Sequence, residues 1–417
     1  MSSSLGMATA ELQPMDPKGG GGPEGGESLW VEAWKRLLKD KIAVFGGVVI
    51  LLLVAVALLA SVLSPHDPDK QYTSGTSSFG LPLPIGAHGK AITMTLTEAP
   101  VRDYSVPSTI RFETPDESLV FTTRQNVGFK AGEKSVTFDV NPRVPDMAKA
   151  PANIQIAPVG KDLSTLSIPI ESVSIKNTHS FPMGTDASGR DILSRLIFGA
   201  RVSLQVGILA VGFAVAIGSV LGLMSGYFGG WVDGTIMRIT DIMMAFPDLL
   251  LVMAIRAVIN PNEIAFFQLM GEWGLSPEVL FICAAISVVS WTQYARLVRS
   301  QVLTVREMEF VEAARSLGAK DSYIMFRHIL PNVIAPIIVV GTMGIAGAIM
   351  TEASLSFLGF GVKAPTSSWG SMINESLGFF RDAPLIPLIP GLAIAITVFA
   401  FNLFGDGVRD ALDPRLK

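Results

Sequence analysis

The residues with the best spacing for chemistry are the acids and bases between Asp186 and Arg195. Asp186, Arg190, Asp191 and Arg195 stand close together, as catalytic acids and bases do in active sites. No nucleophile or general base is paired with them, so we expect helix capping and surface ion pairs instead. No other group of side chains has catalytic spacing, and a membrane enzyme is therefore the function class with the least support.

The sequence also lacks the patterns that hold metals or nucleotides. The four histidines are scattered without metal-ligand spacing, and a single cysteine, Cys283, excludes an intrachain disulfide. The segment from Gly132 to Ser135 superficially resembles a phosphate-binding loop, but the required Gly-x4-Gly-Lys-Ser/Thr spacing occurs nowhere in the chain. We therefore expect no cofactor in this chain, and any ATP hydrolysis linked to it would need a separate polypeptide.

Long apolar runs predict the helices that would position the charged residues described above. Of the 417 residues, 49% are hydrophobic and 16% charged, which is too apolar for an ordinary soluble protein. Runs of roughly 20 residues, enough to cross a bilayer, lie near 42–63, 202–225, 235–258, 279–298, 333–357 and 386–404. The sequence thus predicts an all-α membrane protein with six transmembrane helices. A net charge of −4 without a basic stripe excludes nucleic acid as a partner.

Positive residues near the span ends predict the orientation, because Lys and Arg concentrate in short cytoplasmic loops. Basic residues precede the first span, fill the loop between the fourth and fifth spans, and end the chain: Lys35, Arg36, Lys39, Lys41; Arg296, Arg299, Arg306, Arg315, Lys320, Arg327; Arg409, Arg415, Lys417. The loops on the other side are poor in positive charge. Both termini and the loop 304–331 are therefore predicted to lie in the cytoplasm.

Two carboxylates fall inside the predicted spans. Asp248 lies about 13 residues into the third span, roughly 20 Å along it at a rise of 1.5 Å per residue, and so near mid-membrane. A charge there is costly unless it faces protein or water. Asp248 is either a translocation-pathway residue that meets a positive group of the cargo or a structural carboxyl bonded to a neighbouring helix. Glu352, late in the fifth span, is expected near the outer surface in a structural role.

Close packing and local charge neutralisation are predicted at two further places. Gly218, Gly222, Gly226 and Gly230 recur every four residues, and such a stripe lets another helix approach closely. The partner helix belongs either to the same chain or to a sister subunit. At the start of the third span, three-residue spacing would let Arg238 and Asp241 neutralise each other.

The loop 304–331 has the pattern of a helix–turn–helix. Thr304 with Glu307 has capping-box spacing, which predicts a helix that runs to Leu317 and stops at Gly318. Asp321 would cap a second short helix that ends before Pro331. In the first helix, Ala313 and Ala314 would let a partner surface approach closely. The alternative is an amphipathic connector without a partner.

This loop, with its sequence EAARSLGAKDSYIMFRHILP over 312–331, resembles the coupling loop of permease subunits in ATP-binding-cassette (ABC) importers. The run GTDASGRDILSR over 184–195 resembles the signature of the second permease subunit of dipeptide and oligopeptide importers. Further matching motifs are Thr240-Asp241, Ala245-Phe246-Pro247, Glu352–Gly359, Ser368-Trp369-Gly370 and Asn402–Arg415. The resemblance covers the first span and residues 181–417, and implies a type I ABC importer (MetI-like) permease core.

The resemblance also implies partners and roles. The partners would be a homologous second permease, two ATPase subunits that bind ATP and magnesium, an extracytoplasmic solute-binding protein and a peptide, in the cytoplasmic membrane of a prokaryote. Glu312, Ala313, Ala314 and Gly318 would shape the docking helix, while Arg315 and Lys320 are candidates for polar contacts with the ATPase. The same build could serve nickel chelates or glutathione, and a membrane scaffold or sensor without transport is a further alternative.

The remaining segments differ in texture. Residues 1–41 combine a Gly/Pro/Ser-rich, disordered tail with a basic stretch before the first span. Residues 64–180 alternate apolar and polar side chains in short runs, as at 109–113, 119–122, 135–140 and 166–175, and are broken by Pro, Gly and Asp. They predict a β-rich extracytoplasmic domain inserted after the first span. The alternative is a long, partly ordered loop.

Overall fold

The computed structural model describes residues 29–72, 82–83, 85–96, 104–113, 121–129, 132–140, 153–158, 170–271, 276–363 and 366–413. The tail that the sequence predicts to be disordered, residues 1–29, lies outside these ranges except for Leu29. Arg415 and Lys417, which entered the orientation argument, also lie outside them. Among the described residues, helices form most of the chain and the named strands lie between Ala87 and Phe181.

The helices follow one another along the chain as α1 (Leu29–Lys39), α2 (Lys41–Leu58), α3 (Ala60–Leu63), α4 (Ile192–Phe228), α5 (Gly230–Met244), α6 (Asp248–Val258), α7 (Ala265–Gly271), α8 (Pro277–Val305), α9 (Glu309–Ser316), α10 (Asp321–Tyr323), α11 (Leu330–Phe357), α12 (Trp369–Ser376) and α13 (Leu385–Leu412). In the described part of the chain, 5 helical stretches are long and apolar enough to cross a membrane. They are α2, α4, α8, the run Asp321–Phe357 and α13, and they match five of the predicted spans.

The predicted third span is the exception, because it is broken near its middle. It consists of α5, with 15 residues, and α6, with 11 residues. The break falls at Ala245-Phe246-Pro247, where proline lacks an N–H and disfavours helical geometry in the residue before it. The run 235–258 is therefore two shorter helices, and its crossing of the membrane as a sixth span stays a prediction.

The glycine stripe joins α4 to α8 within this chain. A Cβ atom on Gly218 would lie 2.6 Å from the carbonyl oxygen of Trp291, and one on Gly222 would lie 2.6 Å from that of Ala295. On Gly226 it would meet the side chain of Val302 at 2.7 Å. The two helix backbones thus approach so closely that larger residues do not fit. Gly230, in contrast, has open space around it and a positive φ of 52°.

The N-terminal helix α1 was not predicted from the sequence. Ala33 and Leu37 on one of its faces pack against Val408 and Ala411 of α13. The next helix, α2, also packs closely on α13, where a Cβ on Gly46 would lie 2.8 Å from the Ala400 carbonyl oxygen. The start of the chain's described part is therefore fixed to its end.

Six strands form two antiparallel three-stranded sheets: β1 (Ala87–Leu96), β2 (Tyr104–Glu113), β3 (Phe121–Phe129), β4 (Ser135–Val140), β5 (Asn153–Pro158) and β6 (Ile170–Phe181). One sheet has the order β4-β1-β6 and the other β3-β2-β5. In the first sheet Ile92 is opposite Phe138 on one side and Ile175 on the other. Whether these sheets make a separate domain outside the membrane stays a prediction.

Candidate functional site

The loop after α8 starts with α9, which buries one face and exposes the other. Val311 is fully buried and Ala314 nearly so, in one apolar cluster with Ile324 and Ile329. Glu312 and Ala313 are exposed on the opposite side. Of the two alanines predicted to admit a partner, only Ala313 is open to one, because Ala314 packs inside this chain.

The start of α9 differs from the prediction. Helix α8 continues to Val305, so Thr304 lies inside it and its hydroxyl group donates to the Ser300 carbonyl at 3.4 Å. Helix α9 begins at Glu309, and Met308 precedes it without a side-chain cap. The predicted capping box is therefore wrong. Val302 and Val305 are buried in the same apolar cluster, and their packing continues α8 past Thr304, where the sequence predicted that a new helix would begin.

The end of α9 is as predicted, but the element that follows it is not. Gly318 has a φ of 79°, the left-handed geometry that glycine adopts without steric cost. Lys320 precedes α10, and Asp321 is the first residue of that helix rather than its cap. A π-helical stretch over Ile324–Ile329 then leads directly into α11. No helix end separates the loop from the fifth span, since Pro331 fits in the first turn of α11, where no N–H is needed.

Three side chains of this loop contact the C-terminal end of α4. The Tyr227 hydroxyl donates to Asp321 Oδ1 at 2.7 Å, and the Arg315 guanidinium lies 5.6 Å from the centre of the Tyr227 ring. Arg306 Nη1 donates to the Gly226 carbonyl at 2.8 Å. Arg315 and Lys320 are both exposed, so the predicted contact of each with an ATPase stays a prediction, and Arg315 also contacts its own chain through Tyr227.

A second set of contacts holds α5 against α4 and α8. Asp233 accepts hydrogen bonds from Arg299 Nε at 2.5 Å, from Arg299 Nη2 at 2.6 Å and from the Ser225 hydroxyl at 2.5 Å. The Arg299 hydrogen bonds hold the pKa of Asp233 below its usual range. Asp241 pairs with Arg296 of α8. The predicted pairing of Asp241 with Arg238 is thus replaced by one between helices.

The solvent-exposed face of the loop around α9 carries apolar as well as charged side chains, a feature that the sequence analysis missed. Leu317 is 88% exposed at the end of α9, and other large apolar side chains are exposed nearby: Met308, Phe310, Tyr323 and Phe326. Within one short loop these side chains form a surface suited to contact with another protein. The available signal was the presence of apolar residues on both faces of an eight-residue helix.

At its other end α4 begins in a buried network of charges. Asp186 accepts hydrogen bonds from Arg190 Nε at 2.7 Å and from Arg195 Nη1 at 2.5 Å. Glu375 accepts from both arginines, at 2.7 Å from Arg195. Asp186, Arg190 and Arg195 are each less than a tenth exposed, so the predicted surface ion pairs are in fact buried.

The capping prediction fits the contacts at this point. Asp191 precedes α4, and its carboxylate accepts from the Ser194 backbone N–H at 3.0 Å. The helix then runs without interruption for 37 residues. The residues from Ile192 up to the predicted second span at 202 are therefore the first part of α4 itself.

The two carboxylates of the predicted spans have opposite environments. Glu352 is fully buried and shares hydrogen bonds with the hydroxyl groups of Ser203, at 3.1 Å, and Ser356, at 2.7 Å. Asp248 is exposed at the first position of α6, next to the break in the third span. Within the described residues it makes no hydrogen bond to a neighbouring helix. Its carboxylate is favourably placed there relative to the helix dipole.

Comparison with known proteins agrees with this architecture. Residues 218–417 match the family model described as "Binding-protein-dependent transport system inner membrane component". Residues 28–80 match the "N-terminal TM domain of oligopeptide transport permease C".

Two similar relatives are both permease proteins. A dipeptide transport system permease protein of Alkalihalophilus pseudofirmus is 47% identical over 234 residues, which cover 56% of this chain and 72% of that protein. A glutathione transport system permease protein of Pectobacterium atrosepticum is 45% identical over 235 residues, with 56% and 73% covered. Among solved structures, an inward-facing MetNI methionine ABC transporter is 17% identical, with a TM-score of 0.41 over 53% of this chain and 98% of that chain.

The identity and coverage of the two relatives are sufficient to assign a family. The residues matched by the first family model, 218–417, include the last part of α4, the loop around α9 and the predicted fifth and sixth spans. This chain belongs to the binding-protein-dependent transport system inner membrane components, and it is a permease subunit of an ABC importer rather than an enzyme.

Proposed function

We propose that the permease carries short peptides across the cytoplasmic membrane and that the loop around α9 docks in its ATPase subunits. The observation that carries the docking role is the exposed face of α9, where Glu312 and Ala313 lie beside Leu317. A small side chain at Ala313 lets a partner surface approach, while Gly318 fixes the turn that follows. Lys320 adds an exposed positive charge to this surface.

The proposed assembly contains a homologous second permease, two ATPase subunits that bind ATP and magnesium, and an extracytoplasmic solute-binding protein. Transport follows alternating access: ATP binding draws the ATPases together, the docked loops move with them, and the spans open outward to receive cargo. Hydrolysis returns the site to the inward state. This chain needs no cofactor of its own for these steps.

Peptide cargo is proposed because the relatives are named for dipeptide and glutathione transport. Glutathione is itself a short peptide, so both names agree with one class of substrate. Asp248 is proposed as a pathway residue, since it is exposed beside the break in the third span. Its carboxylate would meet the ammonium group or a basic side chain of the cargo.

We further propose that both termini are cytoplasmic and that residues 64–180 form a β-rich domain outside the membrane. The distribution of Lys and Arg supports the orientation. The two sheets support the domain, and β6 leads from them to the turn before α4. An extracytoplasmic position would let this domain influence docking of the solute-binding protein.

The direct test is uptake by the reconstituted assembly. The four kinds of subunit, copurified and placed in liposomes, should take up radiolabelled alanyl-alanine or glutathione only when ATP is present. Ala313→Trp should abolish ATPase association, and the matched variant Ala313→Ser should preserve it, because serine keeps the side chain small. Normal association and uptake in Ala313→Trp would show that the loop is only a connector.

A further inference from the structure

Helix α4 reaches from the outer charge network to the cytoplasmic loop. Its 37 residues extend about 55 Å at 1.5 Å per residue, which exceeds the apolar thickness of a bilayer. The helix therefore has one end on each side of the membrane. Both ends make polar contacts with other elements of the chain.

At the inner end the contacts come from the last residues of α4 and reach the loop on both sides of Gly318. Tyr227 bonds to Asp321 after the turn, and its ring lies under Arg315 before the turn. Tyr227 is itself largely buried in the apolar cluster that contains Val311 and Ala314. One tyrosine thus contacts both short helices of the loop.

Along its length α4 is packed on α8 through the glycines at 218, 222 and 226. The glycines hold the two backbones in direct contact at three successive turns, and interiors packed this closely transmit displacement with little deformation. The pair therefore behaves as one rigid body, and a displacement of its inner end is carried along the whole helix.

At the outer end α4 holds the elements that follow the fifth span. The Leu196 carbonyl accepts from Trp369 Nε1 at 3.0 Å, and Arg195 bonds to Glu375 at 2.7 Å. A Cβ on Gly199 would lie 2.9 Å from the Trp369 ring. Ser203 bonds to Glu352 in the same region. A movement of α4 must therefore carry α12 with it.

We propose that α4 is the lever that transmits movement of the loop to the outer end of the permease, with Tyr227 and Arg315 as its positioning residues. The proposal rests on the docking role given above and specifies how docking is converted into outward opening. Tyr227 and Arg315 act by keeping the loop and α4 in one fixed arrangement.

The test is Tyr227→Phe in the full importer, reconstituted in liposomes with its ATPase subunits, second permease and binding protein. The quantity measured is uptake of radiolabelled alanyl-alanine or glutathione per ATP hydrolysed. Loss of one hydrogen bond should lower this ratio about threefold while ATP hydrolysis continues. An unchanged ratio would overturn the proposal.

The matched control is Tyr294→Phe. Tyr294 is a buried tyrosine of α8 whose hydroxyl makes no hydrogen bond within the described residues, so its removal should leave the ratio unchanged. Asp321→Asn keeps an acceptor oxygen for Tyr227 and should retain more coupling than Asp321→Ala. Equal losses in these two variants would also count against the proposed contact.

A second readout does not depend on cargo. Leu377, exposed just after α12, is changed to Cys and labelled with an impermeant maleimide before and after a non-hydrolysable ATP analogue is added. The analogue should change the labelling rate in the parent protein and change it less in Tyr227→Phe; equal changes would overturn the lever. Failure of the parent importer to bind its ATPases would instead overturn the docking role.

Discussion

The two ends of α4 are held in different ways. At its N-terminal end, buried ion pairs join Arg195 to Asp186 and to Glu375. At its C-terminal end, one face of the loop around α9 packs on the chain and the other remains exposed, with Leu317 at its edge. The N-terminal end is therefore held within the chain, whereas the loop at the C-terminal end keeps an exposed face, which we propose as half of an interface.

The largest effect should come from the N-terminal end of α4. Arg195→Met would leave Asp186 without one of its buried partners, and breaking a buried ion pair in this way costs about 3–5 kcal/mol. We expect a large loss of folded protein in detergent, measured by thermal unfolding on size-exclusion chromatography. Wild-type melting behaviour would mean that Arg190 alone satisfies Asp186.

The two neighbouring alanines of α9 should separate stability from docking. Ala314→Trp forces a large side chain into the apolar cluster and should destabilise the chain by about 1–3 kcal/mol. Ala313→Trp lies on the exposed face and should leave the melting temperature unchanged while it blocks ATPase association. If the two variants have the same melting temperature, the buried and exposed faces of α9 are wrongly assigned.

The turn after α9 should show a smaller effect on stability. Gly318→Val places a β-branched residue at a φ of 79°, which costs about 1–2 kcal/mol. Membrane insertion should be normal, because Gly318 lies outside the helices long enough to span a membrane. ATPase docking and uptake should both decrease. Gly318→Asn should lose less of both, because asparagine tolerates left-handed geometry. Equal activity of the valine variant and wild type would refute a need for this turn.

The smallest effect is expected for the exposed pair between α5 and α8. Arg296→Ala removes the partner of Asp241, where both side chains are about half exposed, and should cost no more than about 1 kcal/mol. Melting in low and high salt would check this, since screening should erase the difference. A loss as large as that of Arg195→Met would contradict the contrast between buried and exposed pairs.

Apolar runs were enough to locate five of the spans, because 20 apolar residues have few alternatives to a membrane helix. Local signals were less decisive. The capping spacing at Thr304 was overridden by the packing of Val302 and Val305, which lengthens α8. The break at Pro247 was visible as a residue type, but the extent of the helices on either side was not.

The site was predictable only in outline. Ala313 and Ala314 are adjacent in sequence and point about 100° apart on a helix, so the sequence indicates that one can face inward but not which. The contact of Arg315 with Tyr227 joins residues that are 88 positions apart in the sequence. Local sequence patterns do not predict contacts between residues so far apart along the chain. Gly318 was predictable because the backbone geometry it adopts is a property of glycine itself.

The broken third span has a consequence for the life of the protein in the cell. A helix that restarts at Asp248 leaves the amides of its first turn without intrahelical acceptors, and hydrocarbon offers none. These groups need water or a neighbouring protein, and in the proposed assembly the second permease would cover them. A chain synthesised in excess of its partner would then be a substrate for membrane quality control, and its half-life should rise with the supply of the second permease.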